Sequence, residues 1–319
     1  MIRYLLTEKN KYKGNLHCHT TLSDGQMTPE QIVNAYYDHG YAFVALSDHD
    51  RFYSHNDLQR DDFVVLNAYE QNVERKEKER FGPGKCYHFN FFAKTPDLIP
   101  VIPPEPDYDD KESLNLFIEK IKSQGFLCSY NHPYWSLQNF EDYAPLKHID
   151  FLEIFNYGCY IGDGLHENQV NVYDDMLRWG HCDRLYCTMT DDNHDCHLPG
   201  DPLCDSFGGW VMTGGELSYA GIIHALEAGD FYCSNGPDIL SLSIDTEKKT
   251  VHVRSSPARS ITLGTATRHG ERAEAVGNAL LTEAELPLRD DDVYFRIEVT
   301  GADGKRANSI AYFLSELFE

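Results

Sequence analysis

The first two thirds of the chain alternates short apolar runs with longer segments of helical period. Six apolar runs are predicted to form strands, at residues 41–46, 63–66, 87–93, 126–130, 149–155 and 185–189. Amphipathic segments at 111–124, 168–179 and 219–228 are predicted to form helices, and a glycine follows each of them. Such alternation is typical of a parallel α/β barrel or a doubly wound sheet.

The first helix has the clearest start signal. Thr28 is placed to cap it, Pro29 suits its first turn, and Gln31 completes a capping box with Thr28. Gly40 is predicted to end it, because glycine readily adopts the backbone conformation that closes a helix.

The pattern of apolar and polar residues changes after Pro237. Period-two runs at 240–244, 250–254, 260–263, 294–300 and 310–314 predict a small antiparallel β-domain. We therefore expect two domains, residues 1–237 and residues 238–319. Only His252 and His269, of fifteen histidines, lie in the second, so the chemistry is expected in the first.

Histidines and carboxylates recur where apolar runs end. His17 and His19 are two residues apart, so in an extended strand their rings lie on one face. The full set of candidate metal ligands is His17, His19, Asp24, His49, Glu70, His88, His132, Asp192 and His194. Nitrogen and oxygen donors without thiolate indicate zinc, manganese or iron(II). His55 is an alternative to His88, because a long insertion separates Glu70 from His88.

Charge and composition narrow the partners. A formal charge of −23 over 319 residues argues against a surface for nucleic-acid polymers or anionic membranes. We therefore expect a small-molecule substrate, with bound cations offsetting the field if that substrate is anionic. No signal peptide or membrane span is recognised, and nine irregularly spaced cysteines suit reduced thiols, so a cytoplasmic location is expected.

The ordered motifs resemble the PHP (polymerase and histidinol phosphatase) family of metallohydrolases over roughly residues 14–237. They are HxH, Ser23-Asp24-Gly25, Asp48-His49, a lone Glu70, His88, His132-Pro133 and Asp192-Asn193-His194. The sequence is most similar to the branch with carbaryl-hydrolase-like metallohydrolases, which shares the segments 191–194 and 232–237 and a terminal β-domain. The oligomeric state is left open.

The resemblance implies a distorted (β/α)7 barrel, PHP-type, with two or three divalent metal ions. It implies that His17, His19, Glu70 and Asp192 hold the first ion, that Glu70 bridges to a second ion on His88 and His132, and that Asp24, His49 and His194 hold a third. Some relatives have histidine at the position of Asp24. A carboxylate there favours Mn²⁺ or Fe²⁺ and is compatible with Zn²⁺.

The implied reaction is attack by a metal-bound hydroxide on a phosphoester of a small metabolite or nucleotide. Asp192 or His194 is the candidate proton relay. Arg51 is the candidate clamp for a substrate phosphate, and its alternative role is a surface ion pair. Asn156 is a candidate substrate contact, although Asn156 and Glu153 would equally suit hydrogen bonds to the metal ligands.

Two other functions stay open at this point. One is a carboxylester or carbamate hydrolase, for which Tyr134, Trp135, Tyr157 and Phe207 offer an apolar pocket near strand ends. The other is a non-catalytic binding module with an inactive metal site. The complete set of candidate ligands argues against the second.

Overall fold

The structure, a computed structural model, describes residues 1–7, 10–76, 84–162, 164–180, 184–194, 208–212 and 215–318. Phe207, one of the candidate pocket residues, lies outside these ranges. The first elements are β1 (Ile2–Leu6), β2 (Lys11–Asn15), α1 (Pro29–Asp38), β3 (Phe43–Leu46), β4 (Val64–Glu74), β5 (Cys86–Ala93), α2 (Lys111–Lys122) and β6 (Phe126–Tyr130). A short 3₁₀ helix at Asn56–Leu58 lies between β3 and β4.

The middle of the chain adds α3 (Phe140–Tyr143), β7 (Phe151–Asn156), α4 (Tyr157–Gly162), α5 (Val170–Trp179), β8 (Tyr186–Thr190), β9 (Gly208–Met212), α6 (Tyr219–Ala228) and β10 (Phe231–Ser234). The last part contains β11 (Ile239–Asp245), β12 (Thr250–Ala258), β13 (Ser260–Thr265), β14 (Gly270–Glu274), β15 (Leu281–Pro287), β16 (Tyr294–Thr300), β17 (Arg306–Ser309), β18 (Tyr312–Phe313) and α7 (Leu314–Leu317). In the described part of the chain, no helix is both long enough and apolar enough to span a membrane.

The fold is mixed α/β, with one large mixed sheet and one antiparallel sheet. The large sheet has the order β14-β13-β16-β17-β10-β9-β2-β3-β4-β5-β6-β7-β8, and β18 pairs with β16. The smaller sheet has the order β1-β11-β12-β15. Strands β2, β3 and β4 are parallel to one another, as are β6, β7 and β8.

The expected parallel barrel or doubly wound sheet is not parallel throughout, because β9 is antiparallel to β2 and β10, and β5 is antiparallel to both β4 and β6. The physical reason is that β5 pairs directly with β4, the strand before it in the chain, and the antiparallel pairing extends to Arg75 N–H, which donates to the Lys85 carbonyl. Within the described ranges no strand ladder closes β8 onto β2. A single parallel bridge, between Cys18 and Asn193, links the segments that follow these two strands.

The C-terminal region is built on antiparallel strands, as predicted. Its smaller sheet also takes in β1, which pairs with β11, so residues 2–6 pack with the end of the chain. The large sheet continues from β16 and β17 into β10 through antiparallel pairing. The predicted boundary at residue 237 falls between β10 and β11, and the division into two domains stays a prediction.

Local signals account for the helices. Thr28 Oγ1 accepts the N–H of Gln31, and the Gln31 side chain accepts the N–H of Thr28, which confirms the predicted capping box. Apolar residues on one face of α1 are buried, as its period requires. Gly180 and Gly229 end α5 and α6 with positive φ of 74° and 75°, a conformation that suits glycine.

Candidate metal centre

The candidate ligands come together at one edge of the large sheet. His17 and His19 follow β2 with buried rings, whereas Cys18 between them packs in the core of α1 and β3. His49 follows β3 and forms an isolated parallel bridge with Glu70 in β4. Because side chains alternate along an extended segment, His17 and His19 lie on the same side and both approach Glu70.

The remaining ligands reach this edge from the other half of the sheet. His88 lies opposite Asn72 near the start of β5, because the reversed direction of β5 brings its first residues to the carboxyl ends of its neighbours. His132 follows β6, and Asp192 and His194 follow β8. His132 and Asp192 have positive φ of 25° and 48°, a strained backbone that is common at functional sites.

Glu70 is the centre of the cluster. Its buried carboxylate is approached by five imidazole nitrogens, at 3.3 Å from His17 Nε2, 3.3 Å from His19 Nε2, 3.2 Å from His49 Nδ1, 3.1 Å from His88 Nδ1 and 3.5 Å from His132 Nε2. One carboxylate serving five imidazoles is an arrangement suited to bridging cations rather than to simple ion pairing.

Asp192 forms a second point of convergence. Its Oδ1 lies 3.1 Å from His17 Nε2 and 3.2 Å from His19 Nε2, and its Oδ2 lies 3.8 Å from His132 Nε2. His17 and His19 thus stand between Glu70 and Asp192, as the first expected ligand set requires.

Asp24 draws a third group together near the surface. Its carboxylate lies 3.6 Å from His49 Nε2, 3.5 Å from His194 Nε2 and 3.7 Å from His19 Nδ1. Asp24 is 56% exposed, so this end of the cluster is the one open to solvent.

Buried ligand atoms without hydrogen-bond partners indicate that the cluster fits metal ions. His49 Nδ1, His88 Nδ1 and Asp192 Oδ1 are buried, and none has a hydrogen-bond partner among the described residues. These atoms lie close to opposite charges, yet their geometry is not that of a hydrogen bond. Atoms that converge without bonding one another would be costly in a core, and a shared cation removes that cost.

Four ligand groups have mutual distances within 4.8 Å: His19, Asp24, His49 and His194; His17, His132 and Asp192; His17, His19 and Glu70; and His49, Glu70 and His88. They differ from the sets that the family resemblance implies in several respects, since His19 also joins the group of Asp24, and Asp192 is not in the group of His19 and Glu70. His49 has one nitrogen near Glu70 and the other near Asp24, and His132 groups with His17 and Asp192.

The electrostatics of the cluster favour bound positive charge. Burial lowers the pKa of His17, but the charges of Asp192 and Glu70 outweigh burial and hold that pKa well above its ordinary value. Burial also lowers the pKa of His194, but the hydrogen bond to Asp24 and the charge of Asp192 outweigh burial and raise that pKa to about 9. Burial raises the pKa of Glu70, but the neighbouring imidazoles dominate and hold it well below its usual range. The site therefore stabilises cations and ionised carboxylates together.

A buried carboxylate, Glu153 of β7, forms hydrogen bonds with two of the candidate ligands, His17 and His132. Its Oε1 is 2.9 Å from His17 Nδ1 and also accepts the Thr190 hydroxyl, and its Oε2 accepts the N–H of His132 at 3.0 Å. Because Nδ1–H of His17 is donated to Glu153, the lone pair at Nε2 is left for a metal ion. Asn156 Nδ2 bridges Glu153 Oε2 at 2.8 Å and Asp192 Oδ2 at 3.0 Å.

Two supporting residues, Asn131 and Thr190, were missed by sequence reasoning. Asn131 Nδ2 donates to Glu70 Oε1 at 2.8 Å, and Thr190 binds Glu153. Each directly precedes a residue that the motifs singled out, at the carboxyl end of a strand, and that position was the available signal. Asp48, next to His49, accepts from the Thr20 and Ser23 hydroxyls and so ties down the segment that carries Asp24.

Three expectations have different outcomes. His88 joins the cluster, whereas the alternative His55 is in none of the described ligand groups. Asn156 Nδ2 donates to Glu153 and Asp192, and its Oδ1 accepts the N–H of Cys159, so Asn156 positions these groups, and its role as a substrate contact stays a prediction. Arg51 is exposed, and among the described residues its guanidinium has no ion pair.

A cavity of about 270 Å³ adjoins the cluster. Asp192 and His194 lie on one side of it, and Trp135, Gly158, Cys159, Ile161 and Gly162 line the rest. Trp135 packs edge-on against His132, with ring centroids 5.1 Å apart.

No protein-family model matches the sequence, and no curated protein matches it. Among solved structures, the chain is similar to a two-domain protein of Bacteroides vulgatus that contains a predicted PHP-like metal-dependent phosphoesterase. Identity is 16%, the similarity covers 97% of this chain and 96% of that one, and the TM-score is 0.48.

A candidate metal-dependent phosphoesterase of Bifidobacterium adolescentis is similar over 59% of this chain and 89% of that one, with 15% identity and a TM-score of 0.38. An amidohydrolase of Chromobacterium violaceum, solved with sulfate and without metal, is similar over 60% of this chain and 93% of that one, with 14% identity and a TM-score of 0.40.

Proposed function

We propose that this chain is a metal-dependent hydrolase of the PHP type, which uses two or three divalent ions to hydrolyse a phosphoester of a small molecule. The observation that carries the proposal is the convergence of nine histidines and carboxylates, with Glu70 at their centre and with buried ligand atoms that have no hydrogen-bond partner among the described residues. A non-catalytic module would have no need to keep such a costly arrangement complete.

The proposed ligand sets are those that the family resemblance implies, and their members all lie in the observed cluster. His17, His19, Glu70 and Asp192 would hold one ion, Glu70 with His88 and His132 a second, and Asp24, His49 and His194 a third. Mn²⁺, Fe²⁺ and Zn²⁺ all suit these nitrogen and oxygen donors. We also propose that strands β2 to β8 form the distorted PHP-type barrel, and the bridge between Cys18 and Asn193 supports this.

When bound, such ions would act as Lewis acids on the substrate oxygen and would make water a better nucleophile near neutral pH. The chain itself contributes orientation. Glu153 sets the tautomer of His17, Asn131 holds Glu70, and Asn156 holds Asp192.

Proton transfer is assigned to the ligands that border the cavity. Asp192 and His194 both line it, so they are placed to hold or pass on a proton beside a bound substrate. His194 is the more accessible of the two, with 32% of its side chain exposed against 12% for Asp192. His194 is therefore our candidate for proton exchange with solvent.

Carboxylester, carbamate or amide hydrolysis by the same metal site is the second candidate. The apolar lining of the adjoining cavity favours this second reaction. Hydrolysis of a phosphoester would be helped by a basic side chain near the metal ions, and the described lining contains none. Arg51 is the candidate for that basic group, and its exposed guanidinium leaves the role available.

The decisive experiment is elemental analysis of the purified protein, followed by a hydrolysis panel with the metal retained. The panel contains phosphomonoesters, phosphodiesters, carboxylesters and carbamates. His17→Ala and Asp192→Ala should each abolish turnover. His252→Ala is the matched control, because His252 also pairs with a carboxylate, Glu285 at 3.3 Å, but lies in the C-terminal region.

Two results would overturn the proposal. One is fewer than two metal equivalents bound under excess Mn²⁺, Fe²⁺ or Zn²⁺. The other is turnover that survives either substitution in the cluster while metal content falls.

A further inference from the structure

We propose that the cavity beside Asp192 and His194 binds the organic part of the substrate, and that this part is a flat, uncharged ring. The inference rests on the proposed hydrolase function, because it assigns the reacting bond to the metal centre. It goes further in naming the substrate class: an ester whose alcohol carries an aromatic or similar ring, instead of a small, multiply phosphorylated metabolite.

Trp135 forms the aromatic wall of this cavity. Its ring meets His132 at 5.1 Å and 83°, and His88 at 6.0 Å and 61° between ring planes, so two candidate metal ligands hold the indole edge-on. Trp135 is nevertheless 45% exposed. A fixed, half-exposed indole beside a polar cluster offers a stacking surface at little cost in conformational entropy.

Helix α4 forms the opposite wall. Gly158 N–H donates to the Asp191 carbonyl at 2.8 Å, and a Cβ at Gly158 would stand 2.8 Å from the Asp192 carbonyl oxygen. Only glycine lets the helix approach so closely. This approach brings Cys159 and Ile161 to the cavity, where Ile161 is 48% exposed, and a ligand would cover that apolar surface.

The charge of the lining excludes a second anionic group. Among the described residues that line the cavity there is no lysine or arginine, and the charged groups are Asp192 and His194 of the metal cluster. A phosphate or carboxylate on the organic part would thus meet no lysine or arginine of this lining and would lie beside the Asp192 carboxylate, in a protein whose formal charge is −23. The group bound here is therefore uncharged.

The volume sets the size of that group. A cavity of roughly 150 Å³ is enough to admit benzene. The cavity here measures about 270 Å³, which accommodates one ring or two fused rings. Longer or branched groups would have to extend into solvent.

The test compares benzyl and ethyl compounds, whose alcohols are leaving groups of similar reactivity. Benzyl and ethyl phosphate form one pair of substrates, and benzyl and ethyl acetate form another, so the comparison covers both candidate reactions. Binding of benzylphosphonate and ethylphosphonate to the metal-loaded protein, followed by calorimetry, supplies a readout that needs no turnover.

We expect wild-type protein to prefer the benzyl member by about ten-fold or more, both in kcat/KM and in affinity. Trp135→Ala should remove most of that preference. Gly162→Val should also reduce it, because a Cβ at Gly162 meets nothing within 4 Å and the added side chain narrows the cavity without a clash. The Gly162 variant decides the matter if loss of Trp135 disturbs the metal ligands.

Leu137→Ala and Tyr160→Ala are the matched controls. Leu137 lies in the same loop as Trp135, Tyr160 lies on the same helix as Ile161, and neither lines the cavity. Both controls should keep the benzyl preference.

The outcomes separate this inference from the proposed function. Hydrolysis of both members of a pair with no benzyl preference, or a preference that both cavity variants keep, would overturn the inference and leave the hydrolase intact. A benzyl preference in phosphonate binding that the cavity variants remove, without hydrolysis of any pair, would support the cavity and overturn the reaction. Equal binding of the two phosphonates together with no hydrolysis would overturn both.

Discussion

Replacing Glu153 by glutamine tests whether the second layer of the site controls metal binding. Four donors end on this buried carboxylate: His17 Nδ1 and the Thr190 hydroxyl on Oε1, and His132 N–H and Asn156 Nδ2 on Oε2. Glutamine has nearly the same shape but presents one oxygen and one NH₂ group. Two of the four donors must therefore lose their acceptor.

The geometry decides which two donors are affected. A backbone N–H cannot become an acceptor, so the glutamine oxygen should stay on the side of His132 and Asn156. The NH₂ group then faces Thr190, whose hydroxyl can rotate to accept, and His17, which can accept only by moving its proton to Nε2. That tautomer removes the lone pair with which His17 would bind a metal ion.

The expected magnitude follows from these contacts. Loss of the hydrogen bonds to a charged acceptor should lower the free energy of unfolding of the metal-free protein by roughly 1.5–3 kcal/mol. Metal affinity should fall about 10- to 100-fold, since a ligand has lost the partner that orients it. Urea unfolding measures the first quantity, and competitive titration against a chromogenic chelator measures the second.

Asp142→Asn is the matched control for Glu153→Gln. Asp142 is also buried and accepts from Lys85 Nζ at 2.7 Å, Tyr108 Oη at 3.0 Å and Asn139 N at 2.9 Å, but it lies outside the metal cluster. It should lose stability and keep wild-type metal affinity. The reasoning would be refuted if Glu153→Gln bound metal as tightly as the wild type, or if Asp142→Asn lost as much affinity.

Three further predictions concern stability. Removal of metal by a chelator should lower the thermal midpoint, and readdition should restore it. Bound metal should add about 4 kcal/mol to the free energy of unfolding when free metal is 1,000 times Kd. An unchanged midpoint would contradict the ligand assignment. Gly14→Ala should lower the free energy of unfolding by about 1–3 kcal/mol in urea, because its Cβ would overlap a buried phenyl ring of β3, whereas Gly264→Ala should have little effect. The hydrogen bonds that His269 donates to Glu271 and Asp292 raise the pKa of His269, so the folded state binds the extra proton. That contribution is complete below about pH 6.5 and is lost as pH rises through the folded-state pKa, so His269→Gln should cost more stability at pH 6 than at pH 9.

Strands without an apolar period show where sequence reasoning fails. Lys11–Asn15 reads as polar, yet it forms β2 at the centre of the large sheet, paired with β3 and β9. Its strand conformation comes from these partners and not from its own residues. The predicted strand at 310–314 is reduced to Tyr312–Phe313, because pairing with β10 and β16 engages the preceding residues 306–309 and α7 begins at Leu314.

The sequence alone determined the helices with strong caps, the strands with continuous apolar runs and the identity of the candidate ligands. These features depend on residue type and short spacing, which a single sequence displays. His17, His19, Glu70 and Asp192 were recognised as candidate ligands from residue type and motif order, and the family resemblance grouped them as one metal site.

The tertiary structure alone decided the direction of β5, the sharing of His49 between Glu70 and Asp24, and the positioning role of Asn156. Each depends on which strands become neighbours, and therefore on contacts between residues far apart in sequence. It also joined Trp135, after β6, with helix α4 in one cavity beside the metal centre. No local pattern encodes such a meeting, because its energy arises only when the sheet has formed.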